Sequence, residues 1–98
     1  VYEDYDLLVC PTVCVAPFDV RRDKPEGWDA RSDTSWMDLT FPFDLTGQPA
    51  ISVPCGFTDD GRPVGLQIVG PRSADALVLR AARAYEMANP IGARRPPI

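Results

Sequence analysis

Apolar and polar positions alternate in several distinct rhythms along this chain, and each rhythm predicts an element. Leu7, Leu8 and Val9 are continuous within Asp6–Cys10, which reads as a short buried strand stopped by Pro11. Val13 to Phe18 is apolar without a clear period, and Pro17 limits any strand there. Ala50–Phe57 and Pro63–Val69 are the clearest strands. In the second, Val64, Leu66 and Ile68 share one face, while Gly65, Gln67 and Val69 share the other. Gln67 is the single polar residue of that run, so the strand is predicted to be covered on both faces. Gly65 predicts a close approach by backbone or helix. Between the strands, Thr58-Asp59-Asp60-Gly61-Arg62 carries the Asp-Gly signal of a hairpin loop.

Helical spacing takes over beyond Gly70-Pro71. Leu77, Val78, Ala81, Ala82 and Tyr85 line one face of a helix from Ala74 to about Ala88, with Ser73 or Asp75 as its cap and Arg80, Arg83 and Glu86 on the surface. Asn89-Pro90 ends it, leaving residues 89–98 as a tail. A second helix is expected within Thr34–Leu45, capped by Ser35 or Thr34, with Asp38 in its first turn. Pro42 should kink that helix or split it into two short turns, and Gly47 should close it. Residues 15–38 read as an irregular loop region, charged from Asp19 to Asp33. It is either a solvated excursion or a variable loop over a substrate cavity, with Trp28 and Trp36 as apolar walls. The expected fold is an α/β piece: the 50–69 hairpin beside the Leu7–Cys10 strand, with the Ala74–Ala88 helix packed on one face.

Size and composition bound what such a piece can do. Ninety-eight residues make at most one small domain. A chain this long buries only about 60–65% of its unfolded surface, so an independent fold is marginal. Exposed apolar surface on the isolated piece predicts loose packing or self-association into a homo-oligomer. It opens at Val1 directly into an apparent strand, as an excised piece of a longer protein would. The net charge of −4 builds no basic groove, which argues against nucleic acid as a partner. No apolar stretch approaches the roughly 20 residues that cross a bilayer, and Arg94-Arg95 is too small to be a phosphate or membrane patch.

Candidate chemistry is sparse. Cys10 and Cys14 stand at C-x3-C spacing with no histidine in the chain, so neither a metal site nor, at Cys55, an activated thiol is expected. Reduced cysteines acting as small hydrophobes suit a cytoplasmic protein. Asp4 and Asp6 around Tyr5 read as solvated charges that blunt a sheet edge. The glycines follow no nucleotide-binding pattern.

Punctuation is densest from Phe41 to Pro71, where five prolines and five glycines fall within thirty-one residues. The pattern T-x-P-x-D-L-T-G-Q-P-A-I-S-V-P-C-G, followed by G-R-P-V-G-L-Q-I-V-G-P, resembles the C-terminal part of amidase signature enzymes. The resemblance starts at Tyr5-Asp6-Leu7-Leu8 and Pro11-Thr12 and runs to about Ala88. It implies a fragment of a mixed-sheet α/β/α fold, with residues 1–98 forming the C-terminal part of a single amidase domain. It also implies no cofactor, and catalysis by a serine, a second serine joined through a cis peptide, and a lysine, all upstream in a Gly- and Ser-rich stretch. No such stretch occurs here, and the sole lysine is Lys24. No catalytic residue is therefore assigned within the chain.

In that family the T-x-P-x-N-L-x-G segment lies near the nucleophile and lines the acyl pocket. Thr40, Pro42, Leu45, Thr46 and Gly47 match it, whereas Asp44 stands where Asn is usual and adds a charge whose burial would need a partner. Trp36, Met37, Leu39, Thr40 and Phe41 are the candidate substrate-pocket residues; the plainer reading has them support the fold beneath the site. Met37 occupies the position where the glutamine amidotransferase member of the family uses an acid to hold the glutamine ammonium. A thioether cannot do that, and Asp38 lies about 100° further round a helix. The resemblance thus implies a hydrolase that cleaves carboxylic amides to acid and ammonia or amine, with a small-molecule amide as substrate. The rivals are the A subunit of the tRNA-dependent glutamine amidotransferase and a non-catalytic binding module.

Overall fold

Asp60-Gly61 turns the chain where the sequence calls for it. Gly61 sits at φ 87°, which a side chain would disfavour, and Thr58 and Arg62 close the loop with a 2.8 Å backbone hydrogen bond. The flanking strands pair in register from Ala50 opposite Val69 to Phe57 opposite Pro63, with a bulge between Pro54 and Gly56. The computed structural model describes residues 2–28, 35–91 and 93–95. It contains one antiparallel sheet of β1 (Leu8–Pro11), β2 (Ala50–Phe57) and β3 (Pro63–Val69), in the order β1-β3-β2. The two helices are α1 (Phe41–Thr46) and α2 (Asp75–Ala88), with a 3-10 turn at Ser35–Met37.

Three prolines lie in the sheet without breaking it. Pro54 is on β2 and Pro11 on β1, the two edge strands, and Pro63 is the first residue of the central strand. Thr12 donates its N–H to Gly65 at 3.1 Å, which makes Thr12, Cys10 and Leu8 the hydrogen-bonded positions of β1. Pro11 then lacks an N–H that would point away from the sheet. It ends the strand as a paired residue, opposite Leu66, rather than stopping it one residue earlier as expected.

The helix expected over 74–88 forms as α2 and packs on β2 and β3. Val78 and Ala82 are buried, and Ala82 joins Val53 and Ile68 in the core, flanked by Leu7, Ile51, Leu66, Ala81 and Tyr85. Neither Ser73 nor Asp75 caps it: Ala74 is the N-cap residue and no side chain completes the cap. Ser73 is instead held at φ 65°, spent on the turn out of Pro71. Close helix packing falls at Gly70, where a Cβ would stand 2.6 Å from Val78 Cγ2.

β1 is not the buried strand its composition suggests. Leu8 is 36% and Val9 53% exposed. A helix about 10 Å across spans roughly two strands at 4.8 Å spacing, so the third lies outside its cover. Two short elements replace the helix expected within 34–45, the 3-10 turn and α1, but the break falls at Asp38–Thr40 and not at Pro42, which lies inside α1. Pro42 starts α1 from its first turn, and Gly47 at φ 68° ends it. Asp38 is exposed in the turn between them. Thr34 as a cap, and residues 29–34 of the 15–38 loop, lie outside the described residues.

Gly70→Ala is expected to destabilise the protein by about 1–3 kcal/mol through overpacking against Val78, and Val78→Ala should relieve part of that cost in the double variant. Chemical denaturation of the four proteins checks this. Additive effects would show that Gly70 and Val78 do not meet.

Candidate functional site

The face of the sheet opposite α2 carries the candidate site. Period-2 alternation puts Cys10, Ser52, Gly65, Gln67 and Val69 there. Among the described residues no helix covers this face, and polar side chains fasten irregular segments onto it. Gln67, 5% exposed, donates through Nε2 to the Leu39 carbonyl at 2.7 Å and to Cys10 Sγ at 3.3 Å. The hydroxyls of Thr12 and Ser52 meet at 2.7 Å above Gly65. A Cβ at Gly65 would stand 2.7 Å from Ser52 Oγ and 2.8 Å from Thr12 Oγ1, so the glycine admits this hydroxyl pair rather than a helix. Beyond the end of β3, Gln48 donates to the Gly70 carbonyl at 3.2 Å and to the Tyr2 hydroxyl at 3.0 Å.

The Ser35–Phe41 segment is internally braced. Asp38 N–H donates to the Ser35 carbonyl at 3.2 Å, and Thr40 reaches the Met37 carbonyl through its N–H at 3.0 Å and its hydroxyl at 2.9 Å. Thr40 precedes α1 as its N-cap residue, but its hydroxyl turns back to Met37 and does not cap the helix. Trp36, Met37, Leu39 and Thr40 are half-buried, and Phe41 is 39% exposed. Asp44 lies exposed in the first turn of α1, where the helix dipole favours an acid and no buried partner is required.

Trp36 stands edge-on to Phe18, with ring centroids 5.6 Å apart and planes at 86°. The pair lines a cavity of about 320 Å³ together with Val13, Cys14, Val15 and the start of β3 at Pro63–Gly65. Cys14 Sγ approaches the Trp36 carbonyl at 3.6 Å. Of the five candidate pocket residues, Trp36 alone lines this cavity; Met37, Leu39, Thr40 and Phe41 form the turn and helix start behind it. Trp28 is not the second wall. Its indole N–H donates to Ser35 Oγ at 3.3 Å, and Phe18 takes the position facing Trp36. Phe18 lay in the apolar run 13–18, whose lack of period left it without an element.

A second, charged cavity of about 800 Å³ opens on the other side of the 15–18 strip, lined by Asp19, Arg22, Glu26, Asp60 and Arg62. Arg62 bridges it. Its Nε donates to Asp60 Oδ1 at 3.1 Å, its Nη2 pairs with Asp60 Oδ2 at 2.9 Å, and its Nη1 donates to the Pro17 carbonyl. The Thr58 hydroxyl first, and then Arg62, hold the Asp60 carboxyl below its ordinary value. Asp19 is held down to about 2, against an ordinary 3.8, chiefly by the Arg21 guanidinium and then by the Arg21 N–H. These charges tie the hairpin tip to the 15–28 loop and offer no base to a nucleophile.

Ser52 faces a threonine hydroxyl, which cannot serve as a general base. Among the described residues no cluster of three metal-ligating side chains occurs, and no helix is long and apolar enough to cross a membrane.

The family model described as Amidase matches residues 1–79. The chain is similar to an acylamidase of Rhodococcus erythropolis, 45% identical over 97 residues, covering 95% of this chain and 20% of that protein. It is similar to the A subunit of a glutamyl-tRNA(Gln) amidotransferase from Brevibacillus brevis, 41% identical over 97 residues, covering 98% of this chain and 19% of that protein. Among solved structures it resembles a 6-aminohexanoate cyclic dimer hydrolase, with a TM-score of 0.79 and 37% identity over 98% of this chain and 22% of that one. The chain thus spans about a fifth of the length of the relatives it matches.

The folded carboxyl of Asp19 is depressed, so its pairing is complete above about pH 4 and is lost as the pH falls toward 2. Both partners are solvated, and the effect on global stability is small. An NMR titration should place Asp19 near 2 and return it toward 3.8 in Arg21→Ala. An unchanged midpoint would show that the pair does not form in solution.

Proposed function

The chain belongs to the amidase family, and from that premise we propose that it supplies part of the acyl pocket of an enzyme that hydrolyses carboxylic amides to an acid and ammonia or an amine. The observation that carries this reading is the Trp36–Phe18 pair, set edge-to-face against an apolar cavity beside the family motif at Thr40–Gly47. An amide binds there by burying its carbon skeleton: each methylene removed from water is worth about 0.8 kcal/mol, or about fourfold in kcat/KM. On this reading the serine nucleophile, its bridging serine and the lysine come from outside these ninety-eight residues, as the resemblance implies. Residues 1–98 then form the C-terminal part of one amidase domain. The three cysteines are free thiols, which supports a cytoplasmic setting.

A second reading, the A subunit of a tRNA-dependent glutamine amidotransferase, draws support from the 41% identity to such a protein. Met37 weighs against it. Its thioether stands where an acid would hold an ammonium, and Asp38 beside it is exposed. Losing one charge-assisted contact costs about 1.5–3 kcal/mol, enough to forfeit selective glutamine binding.

In the full-length enzyme, Met37→Asp should lower kcat/KM on apolar amides relative to small polar ones by about tenfold, read across a panel of amides. Met37 acts here through the turn that carries Trp36, and unchanged selectivity would show that this turn does not shape the pocket. The ninety-eight-residue chain by itself should show only background hydrolysis, and its serines (Ser32, Ser35, Ser52 and Ser73) should resist a fluorophosphonate probe. Stoichiometric labelling of any of them would place a nucleophile inside this chain.

A further inference from the structure

Among the described residues Gln67 is the buried polar side chain of the core, and both hydrogens of its amide nitrogen are engaged by elements that are distant in sequence. One goes to the Leu39 carbonyl at 2.7 Å, and the other to Cys10 Sγ on β1 at 3.3 Å. The first bond is short and aimed at the middle of the Ser35–Phe41 segment. Bonds from Asp38 to Ser35 and from Thr40 to Met37 fix the shape of that segment but not its height above the sheet, and the Trp28 indole of the 15–28 loop donates to Ser35 Oγ at its start at 3.3 Å. The Cys14 thiol reaches the Trp36 carbonyl at 3.6 Å, and a thiol is a weak donor.

We propose that Gln67 is a positioning residue for substrate choice: its amide, anchored in the central strand, sets how far the Trp36–Phe41 turn stands from the sheet and hence the depth of the cavity that Trp36 and Phe18 line. The inference rests on the reading of that cavity as an acyl pocket. The physical case is that a braced turn moves as a unit. Its attachment to the sheet through the short bond at Leu39 converts a shift of the Gln67 amide into a shift of the Trp36 ring three residues away. Gln67 sits opposite both Cys10 and Ser52 in the ladder, so its own backbone is pinned from two sides. A displacement of about 1 Å in a pocket wall is enough to change which acyl group fits.

The test uses the full-length enzyme and two amide substrates, one with a bulky aryl acyl group and one with a short aliphatic acyl group. Gln67→Met keeps the length and apolar bulk of the side chain and removes both donors. It should change the aryl-to-aliphatic ratio of kcat/KM by about five- to tenfold, the factor that one buried hydrogen bond supports, with the change falling mainly in KM. Gln67→Asn keeps the donors but is one methylene shorter; it should shift the ratio in a smaller step, and it decides the matter if the methionine variant does not fold. Trp36→Ala is measured alongside to test the pocket reading itself. An unchanged ratio in the Gln67 variants with an altered ratio in Trp36→Ala would overturn the role of Gln67 and leave the pocket standing. An unchanged ratio in all three would overturn both.

Discussion

One helix cannot cover both faces of a three-stranded sheet, and most of this structure follows from that limit. α2 covers β2 and β3 on one side and leaves β1 outside its width. The opposite face of β3 still holds Gln67 and Val69, both buried, so something other than a helix must cover them. The chain does this with irregular segments, and irregular backbone needs hydrogen-bond partners that a helix would have supplied internally. Gln67 and Gln48 provide donors to such segments, and the Thr12–Ser52 hydroxyl pair satisfies itself above Gly65. The polar face is thus the consequence of a missing layer. Beside it, Phe18 and Trp36, distant in sequence, converge on an apolar cavity.

That convergence suits binding better than chemistry. Its aromatic wall is apolar, its hydroxyls face one another, and its charges sit apart, around Arg62 and Asp19, where solvent and opposite partners neutralise them. A protein that breaks amide bonds needs a nucleophile, a base and oxyanion donors within about 3 Å of one reacting carbon. This chain spans about a fifth of its relatives' length, and its Ser52 hydroxyl faces that of Thr12 rather than a base. What it offers is shape: a braced turn, a tryptophan and a phenylalanine held at right angles.

Strands and the long helix were legible because their periods are strong. Ala50–Phe57 and Pro63–Val69 occur with the bounds their alternation implied, and Val78, Ala81, Ala82 and Tyr85 do pack inward from α2. Errors arose where tertiary context overrides local signals. Leu8 and Val9 in β1 read as buried, yet exposure there depends on the width of a helix far along the chain. Gly65 signals close approach by backbone or helix, but pleat parity puts the Thr12 and Ser52 hydroxyls against it, and α2 comes close at Gly70 instead. At the site, Trp36 was legible from its place before the family motif. Phe18 was not, because an aperiodic run bounded by Pro17 gives no direction to its side chains. Gln67 stood out as the lone polar residue of a covered strand, without any sign of what it would hold.

The most direct measurement is a structure of the full-length enzyme with its nucleophile trapped by an aryl acyl or phosphonate inhibitor. The account predicts the aryl ring within van der Waals contact, about 4 Å, of Trp36 and Phe18, with the Leu39 carbonyl still bound by Gln67. An aryl ring lodged elsewhere, with Trp36 packed only against protein, would contradict it.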